Sequence, residues 1–378
     1  MWTSTINHHM AGLYIHIPFC HSKCSYCDFY SMPYTKHTDA YVDALIQEWH
    51  MRKSEISAPF TTVYIGGGTP SILPPEKLKR LVESLPCDNL TEFTIEANPE
   101  DVTIDYTRFI SNLGINRVSI GIQSFSDTEL KMINRRHSGK DAEEALLALR
   151  RGGIKNISGD LIYGLPGQTI SSWQESLDRL VDSGVEHISA YSLSYEPGTR
   201  LHAMLSSGKI IETDEETVNE MYLRLTETLR KAGYEHYEIS NFALPGKRAV
   251  HNSSYWHFTP YLGLGTAAHS FDGTTRRANR RGIGAYINAI SAGNPFYDVE
   301  TESADELYND YIITALRTAE GINKQHFSDQ FGAKALNSLL EESRQFINTG
   351  KIIDTPTSVY IDEAAFLVSD SIFVELIH

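Results

Sequence analysis

The sequence predicts an α/β fold: an incomplete (β/α)6 TIM-like barrel followed by a small C-terminal helical, winged-helix-like module. Three observations carry this. Short runs rich in β-branched residues alternate with helical stretches over the first two-thirds of the chain, the pattern of a parallel sheet covered by helices. Six such units are too few to close a barrel of eight. The alternation breaks near residue 245 and helices resume from 303, so the chain divides into a barrel over 1–245, a connecting region over 246–300 and a helical module over 301–378.

The expected strands are "GLYIHIP" (12–18), "TTVYIGGG" (61–68), "EFTIEAN" (92–98), "RVSIGIQSF" (117–125), "NISGDLIYGLP" (156–166) and "HISAYSLS" (187–194). Helices are expected near 39–53, 75–85, 103–112, 126–134, 140–151 and 172–183, with another from about 214. Capping-box spacing marks three starts: Ser126 with Glu129, Ser172 with Glu175 and Thr213 with Glu216. Val218, Met221, Tyr222, Leu225 and Leu229 form one apolar stripe that should pack on the sheet. After the aperiodic, Gly-, Pro- and aromatic-rich stretch around 245–270, Ser303 and Glu306 cap "LYNDYIITALRT". "ALNSLLEESRQFINTG" and a hairpin within "SVYIDEAAFLVSD" complete the module.

Composition excludes several classes. A net charge of −15 argues against nucleic acid as a general partner, because phosphate neutralisation needs a basic surface. The first residues lack a basic start followed by an apolar run, and no stretch is apolar for the length of a membrane span, so a cytoplasmic protein is expected. In a reducing compartment, clustered cysteines read as ligands before disulfides. Cys87 stands apart and reads as a small buried hydrophobe.

Cys20, Cys24 and Cys27 lie on the loop that leaves the first strand, where parallel sheets place function. Three closely spaced thiolates can hold a [4Fe–4S] cluster with one iron left open. A structural zinc site commonly wants four ligands as two separated pairs, and would have to recruit His16, His21 or a distant histidine. A zinc-stabilised interaction protein is the corresponding alternative. It leaves the "GGGTP" turn and the polar residues Glu96, Gln123 and Asp160 among apolar strands unexplained.

The motif "CHSKCSYC" resembles the CxxxCxxC signature of the radical S-adenosylmethionine (SAM) superfamily. "YIHIPFC", "GGGTPS", "IEANPE", "GIQSF" and "GLPGQT" resemble its oxygen-independent coproporphyrinogen III oxidase-like branch, over nearly the whole chain. The resemblance implies a radical SAM barrel with Cys20, Cys24 and Cys27 on the cluster, SAM on the open iron and an external electron donor. It further implies that Gly67, Gly68 and Thr69 meet the methionine end of SAM, and that Glu96, Gln123, Arg135 and Asp160 hold its carboxylate, amino or ribose groups. Tyr14 and Tyr26 match aromatic residues beside cluster and adenine, although core packing serves Tyr14 nearly as well.

This branch contains coproporphyrinogen III dehydrogenases, which convert two propionates to vinyls through an adenosyl radical, and heme chaperones, which bind heme and pass it to acceptor hemoproteins. Dehydrogenases of the branch usually carry another cysteine two positions after the third ligand, where this chain has Phe29, and a longer segment before the cluster. "HNSSYW" (251–256) resembles the heme chaperones' HNxxYW motif, which implies heme contact by His251, Tyr255 and Trp256. Heme binding and delivery is therefore the leading expectation and dehydrogenation the alternative. The chaperone resemblance extends to dimers and peripheral membrane contact. "RRANRR" (276–281) offers guanidinium groups that suit propionates, or equally a solvated basic loop.

Overall fold

A computed structural model describes residues 10–33, 37–87 and 89–378. The reading of the extreme N-terminus falls on residues 1–9, outside the described residues. The chain opens with β1 (Ala11–Ile17) and passes through the short β2 (Phe19–Cys20) and β3 (Met32–Pro33), which pair with each other, to α1 (Thr38–Arg52). The next units are β4 (Phe60–Gly67) with α2 (Pro75–Glu83), β5 (Glu92–Ala97) with α3 (Ile104–Asn112), and β6 (Arg117–Gln123) with α4 (Asp127–Met132) and α5 (Gly139–Gly152). They are followed by β7 (Asn156–Tyr163) with α6 (Ile170–Asp182), then β8 (His187–Ser192) with α7 (Arg200–Ser206) and α8 (Glu215–Lys231).

All six expected strands form and pair in parallel from β1 through β4, β5, β6 and β7 to β8. Leu13, Ile15, Val63, Ile65, Phe93, Ile95, Val118 and Ile120 are buried, as strands covered on both faces require. The stripe on α8 packs as expected, with Met221, Tyr222, Leu225 and Leu229 buried.

The aperiodic stretch does more than connect. After β9 (Glu235–Glu238) and β10 (Asn241–Ala243) comes α9 (Val250–Trp256), followed by β11 (Tyr261–Leu264), β12 (His269–Phe271), β13 (Thr275–Asn279), α10 (Ile283–Ser291) and β14 (Tyr297–Thr301). β11 pairs in parallel with β1, on the side away from β4, and β12, β13 and β14 continue antiparallel from it. One sheet of order β14-β13-β12-β11-β1-β4-β5-β6-β7-β8-β10-β9 results. Strands of three to five residues, as in β11 to β13, are too short to establish a sequence period.

The C-terminal module packs α11 (Ala304–Leu316), α12 (Lys324–Phe331), α13 (Ala333–Glu342), α14 (Arg344–Asn348) and α15 (Ser369–Leu376) around the three-stranded sheet β15 (Ile322–Asn323), β17 (Ser358–Ile361) and β16 (Ile352–Asp354). The Ser303–Glu306 capping box is present in both halves. The hairpin, however, joins β16 to β17, and residues 363–368 turn into a 3-10 helix.

The three other caps differ from expectation. Ser126 makes no cap bond; Glu129 instead accepts from Ser124 and Ser172, each at 2.6 Å, and from Gln168 at 3.1 Å, tying α4 to α6. The box on α6 is Thr169 with Ser172, and the cap on α8 is Asp214, because Thr213 is drawn away to the Gly164 and Leu165 carbonyls.

Candidate radical SAM site and adjoining cavity

The cysteine loop leaves the carboxyl end of β1. Its centre is clamped at Ser25, whose N–H donates to the Ile133 carbonyl at 2.9 Å and whose carbonyl accepts from Leu201 N–H at 2.8 Å. Asn134, in a left-handed conformation, adds a side-chain bond to the Lys23 carbonyl at 2.9 Å. Tyr26 packs on Ile133, Ile162 and Leu165, and burial drives its hydroxyl pKa up. Cys20, Cys24 and Cys27 are half-buried and joined by no disulfide. Burial raises the thiol pKa of Cys20, and pushes that of Cys27 up to about 11.

Two of the expected SAM residues touch the cysteines directly. Thr69 donates to Cys20 Sγ at 3.4 Å and Arg135 Nη1 to Cys24 Sγ at 3.5 Å. Asn98 joins them, donating to Thr69 Oγ1 at 3.3 Å and accepting from Arg135 Nη2 at 2.8 Å. Asn98 was not singled out from the sequence, although it lies within "IEANPE". Glu96 accepts from Gly67 N–H at 2.9 Å and from Tyr64 at 2.8 Å, and burial raises its carboxyl pKa to about 7.

The glycines are sterically required. Gly67 has φ +112°, and a Cβ there would lie 2.5 Å from the His16 ring. A Cβ on Gly68 would meet the Phe19 and Ile17 carbonyl oxygens at 2.7 and 2.9 Å. Gln123 sits at a β-bulge with φ +67°, a strained backbone that re-aims a side chain at the end of β6. Asp160 lies mid-strand, not at a cap, and accepts from Ser119 and Ser158; burial raises its pKa to about 6.

A cavity of about 770 Å³ opens beside the loop. Tyr14, Asp28, Phe29 and Tyr30 form one wall, Tyr255, Trp256 and Phe258 another, and Arg276, Arg280 and Arg281 its basic edge. Tyr14 therefore faces the cavity, with its hydroxyl 2.9 Å from His16 Nδ1. The "RRANRR" segment is largely neutralised: Arg276 pairs with Glu302 and Asp310, Arg277 with Asp272, and Arg280 with Asp298. Tyr255 and Trp256 line the cavity, but His251 does not. It is fully buried, 2.8 Å from both Thr62 Oγ1 and the Tyr255 hydroxyl and stacked on Tyr64; burial pulls its pKa down to about 3.

Comparison with known proteins gives the family. Residues 14–180 match the radical SAM superfamily and residues 303–368 the HemN C-terminal domain. The heme chaperone HemW of Bacillus subtilis is 34% identical over 96% of this chain and 98% of its own length. The chain belongs to the HemW family of radical SAM proteins. HemW of Lactococcus lactis is 31% identical over 95% of each chain. A mitochondrial radical SAM domain-containing protein 1 of Bos taurus is 33% identical over 88% of this chain and 81% of its own. The structure of coproporphyrinogen III oxidase (HemN) from Escherichia coli superposes with a TM-score of 0.83 over 98% of this chain and 91% of that one, at 22% identity, which establishes the shared fold.

Membership brings the [4Fe–4S] cluster and SAM as cofactors, and the donor set in this HemW-family chain fits them. Among the described residues, no three His, Cys, Asp or Glu side chains converge as ligands of one metal ion would. Thiolates on a cubane bind separate irons and need no common centre, whereas tetrahedral zinc brings its sulfurs within about 4 Å of each other. On the Arg135 side chain, whose Nη1 donates to Cys24 Sγ, Nε is a buried donor without a partner. Among the described residues, no helix is long and apolar enough to cross a membrane.

Proposed function

We propose that the chain binds heme in the 770 Å³ cavity and delivers it to acceptor hemoproteins. The observation that carries this reading is the cavity's composition and place: aromatic walls from Tyr255, Trp256 and Phe258, Arg281 at the rim without an acidic partner among the described residues, and direct contact with the cysteine loop through Asp28, Phe29 and Tyr30. Flat apolar walls suit a porphyrin face, and guanidinium groups suit its propionates. Family membership supports the same reading, since several relatives carry the name heme chaperone HemW.

Cys20, Cys24 and Cys27 would hold the cluster, whose bound SAM would supply an adenosyl radical when the sulfonium is reduced. Gly67, Gly68 and Thr69 would meet the methionine end, Glu96 would accept from its amino group, and Arg135 and Gln123 would complete the polar surround. Asp160 would bind the ribose, and Tyr26 would lie beside the adenine. An electron donor, a dimer and peripheral membrane contact belong to the same proposal, supported by the resemblance alone.

Coproporphyrinogen dehydrogenation predicts a different outcome. The position of the extra cysteine is Phe29, 64% exposed at the cavity wall, which supplies no thiol. The deciding experiment supplies reconstituted protein anaerobically with coproporphyrinogen III, SAM and reductant in one tube and heme in another. Stoichiometric heme uptake that can be passed to an apo-hemoprotein, without vinyl product, supports the chaperone. Vinyl product overturns it.

A further inference from the structure

We propose that His269 is the axial ligand that the cavity offers to heme iron, and that His251 is a positioning residue behind Tyr255. The inference rests on the heme reading above and assigns its iron ligand.

Strand alternation places His269. On β12, Ser270 turns away from the cavity: its hydroxyl accepts from Gly263 N–H at 2.9 Å and from Arg52 Nη2 at 3.1 Å. His269 and Phe271, one position to either side, therefore share the opposite face, and both line the cavity. Directly across the strand pair from His269 is Ala278, whose methyl group leaves the imidazole uncovered. His269 is exposed, and its ring makes no hydrogen bond to any described residue.

The backbone that presents it is held firmly. In the turn before β12, Gly265 and Ala267 take positive φ values of +93° and +59°. Gly265 N–H donates to Glu48 at 2.8 Å and Thr266 N–H to the Tyr41 hydroxyl at 3.0 Å. A Cβ on Gly265 would stand 2.5 Å from that hydroxyl, so the turn cannot relax toward an ordinary residue there. A ligand on a rigid turn keeps its aim when the cavity fills and empties.

The other imidazoles are committed. His16, at the cavity wall, donates from Nε2 to the Tyr30 carbonyl at 3.0 Å and so accepts from Tyr14 at Nδ1. His251 has both nitrogens engaged and no face in the cavity. An imidazole ring with no hydrogen-bond partner among the described residues, the kind of donor that binds heme iron, is thus offered by His269. Arg281, exposed at the same rim and without an acidic partner among the described residues, is placed for a propionate.

The test is heme titration of the full chain, read by absorption and electron paramagnetic resonance in ferric and ferrous states. Wild-type protein should show a histidine-ligated spectrum. Loss of a partner one step removed from a metal typically costs 10–100-fold in affinity, so losing the ligand itself in His269→Ala should weaken heme binding by at least about tenfold. His269→Ala should also lose the histidine signature, and added imidazole should restore it. His251→Gln should keep the histidine signature. An unchanged spectrum in His269→Ala, or loss of the histidine signature in His251→Gln alone, overturns the assignment. Failure of the wild-type chain to take up heme overturns the heme reading and this inference together, whereas uptake with a spectrum indifferent to His269 overturns only the inference.

Discussion

Glu96→Gln should weaken SAM binding, and by a factor that depends on pH. The carboxylate already accepts from Gly67 N–H at 2.9 Å and Tyr64 at 2.8 Å, and burial raises its pKa to about 7. Glutamine keeps the shape and one acceptor oxygen but cannot offer a charged acceptor to the ligand's amino N–H. A charge-assisted hydrogen bond contributes about 2 kcal/mol, so at pH 8, where Glu96 is ionised, the wild type should bind about thirtyfold more tightly than the variant. At pH 6 only about a tenth of Glu96 is ionised, so the advantage should shrink to about threefold. The same ligand is titrated into both proteins, so the ratio of affinities at each pH compares the two side chains. Calorimetric titration of anaerobically reconstituted wild type and variant at pH 6, 7 and 8 supplies that ratio. A ratio constant across these pH values would refute the role assigned to this carboxylate.

Other consequences follow from the same geometry. Cys24→Ala should abolish cluster assembly; full inorganic sulfide content and an intact iron–sulfur absorbance in the variant would count against the cluster. Gly68→Ala forces a methyl group against two carbonyl oxygens at 2.7 and 2.9 Å, so the spectral response of the cluster to SAM should disappear while the barrel loses about 1–3 kcal/mol in urea unfolding. His251 has a folded pKa of about 3 against about 6.5 unfolded, so the unfolded chain binds the extra proton and stability falls as pH drops through this window. Between pH 7 and pH 5 that side chain alone should cost about 2 kcal/mol, seen as a steeper pH dependence of the urea midpoint in wild type than in His251→Gln.

The barrel was legible because each parallel strand is buried on both faces and writes a near-continuous apolar run, as in "TTVYIGGG" and "RVSIGIQSF". The polar residues interrupting those runs, Glu96, Gln123 and Asp160, were legible for the same reason: a core would reject them. What stayed hidden depends on contacts between distant segments. Asn98 becomes significant only when Arg135 and Thr69 reach it from two other loops. Glu129 looks like a capping residue until Ser172, on another helix, claims its carboxylate. His251 stands first in a motif that resembles a heme site, yet burial and two hydrogen bonds hold it behind the cavity wall. His269 stands in "GTAAHS", where only the facing of a three-residue strand separates a cavity residue from a core one.

The placement of β1 explains why cluster loop and cavity are neighbours. This strand pairs in parallel with β4 on one side and β11 on the other. Carboxyl ends of adjacent parallel strands emerge together, so the cysteine loop after β1 lies between the "GGGTP" turn after β4 and the turn after β11 that leads to His269. A barrel closed by eight strands would still put three such loops side by side, but the open edge lets β12 and β13 fold back antiparallel and build a wall beyond it. The seventh parallel strand, hardest to see in the sequence, is therefore the element that joins the SAM end of the barrel to a porphyrin-sized cavity. A substitution that breaks its pairing, such as Gly263→Val, should disturb the cavity first. A Cβ at Gly263 meets the His269 carbonyl oxygen at 2.0 Å, on the antiparallel side of β11. Heme uptake should fall in that variant while the cluster absorbance persists, and equal loss of both would show that the two sites do not separate along this strand.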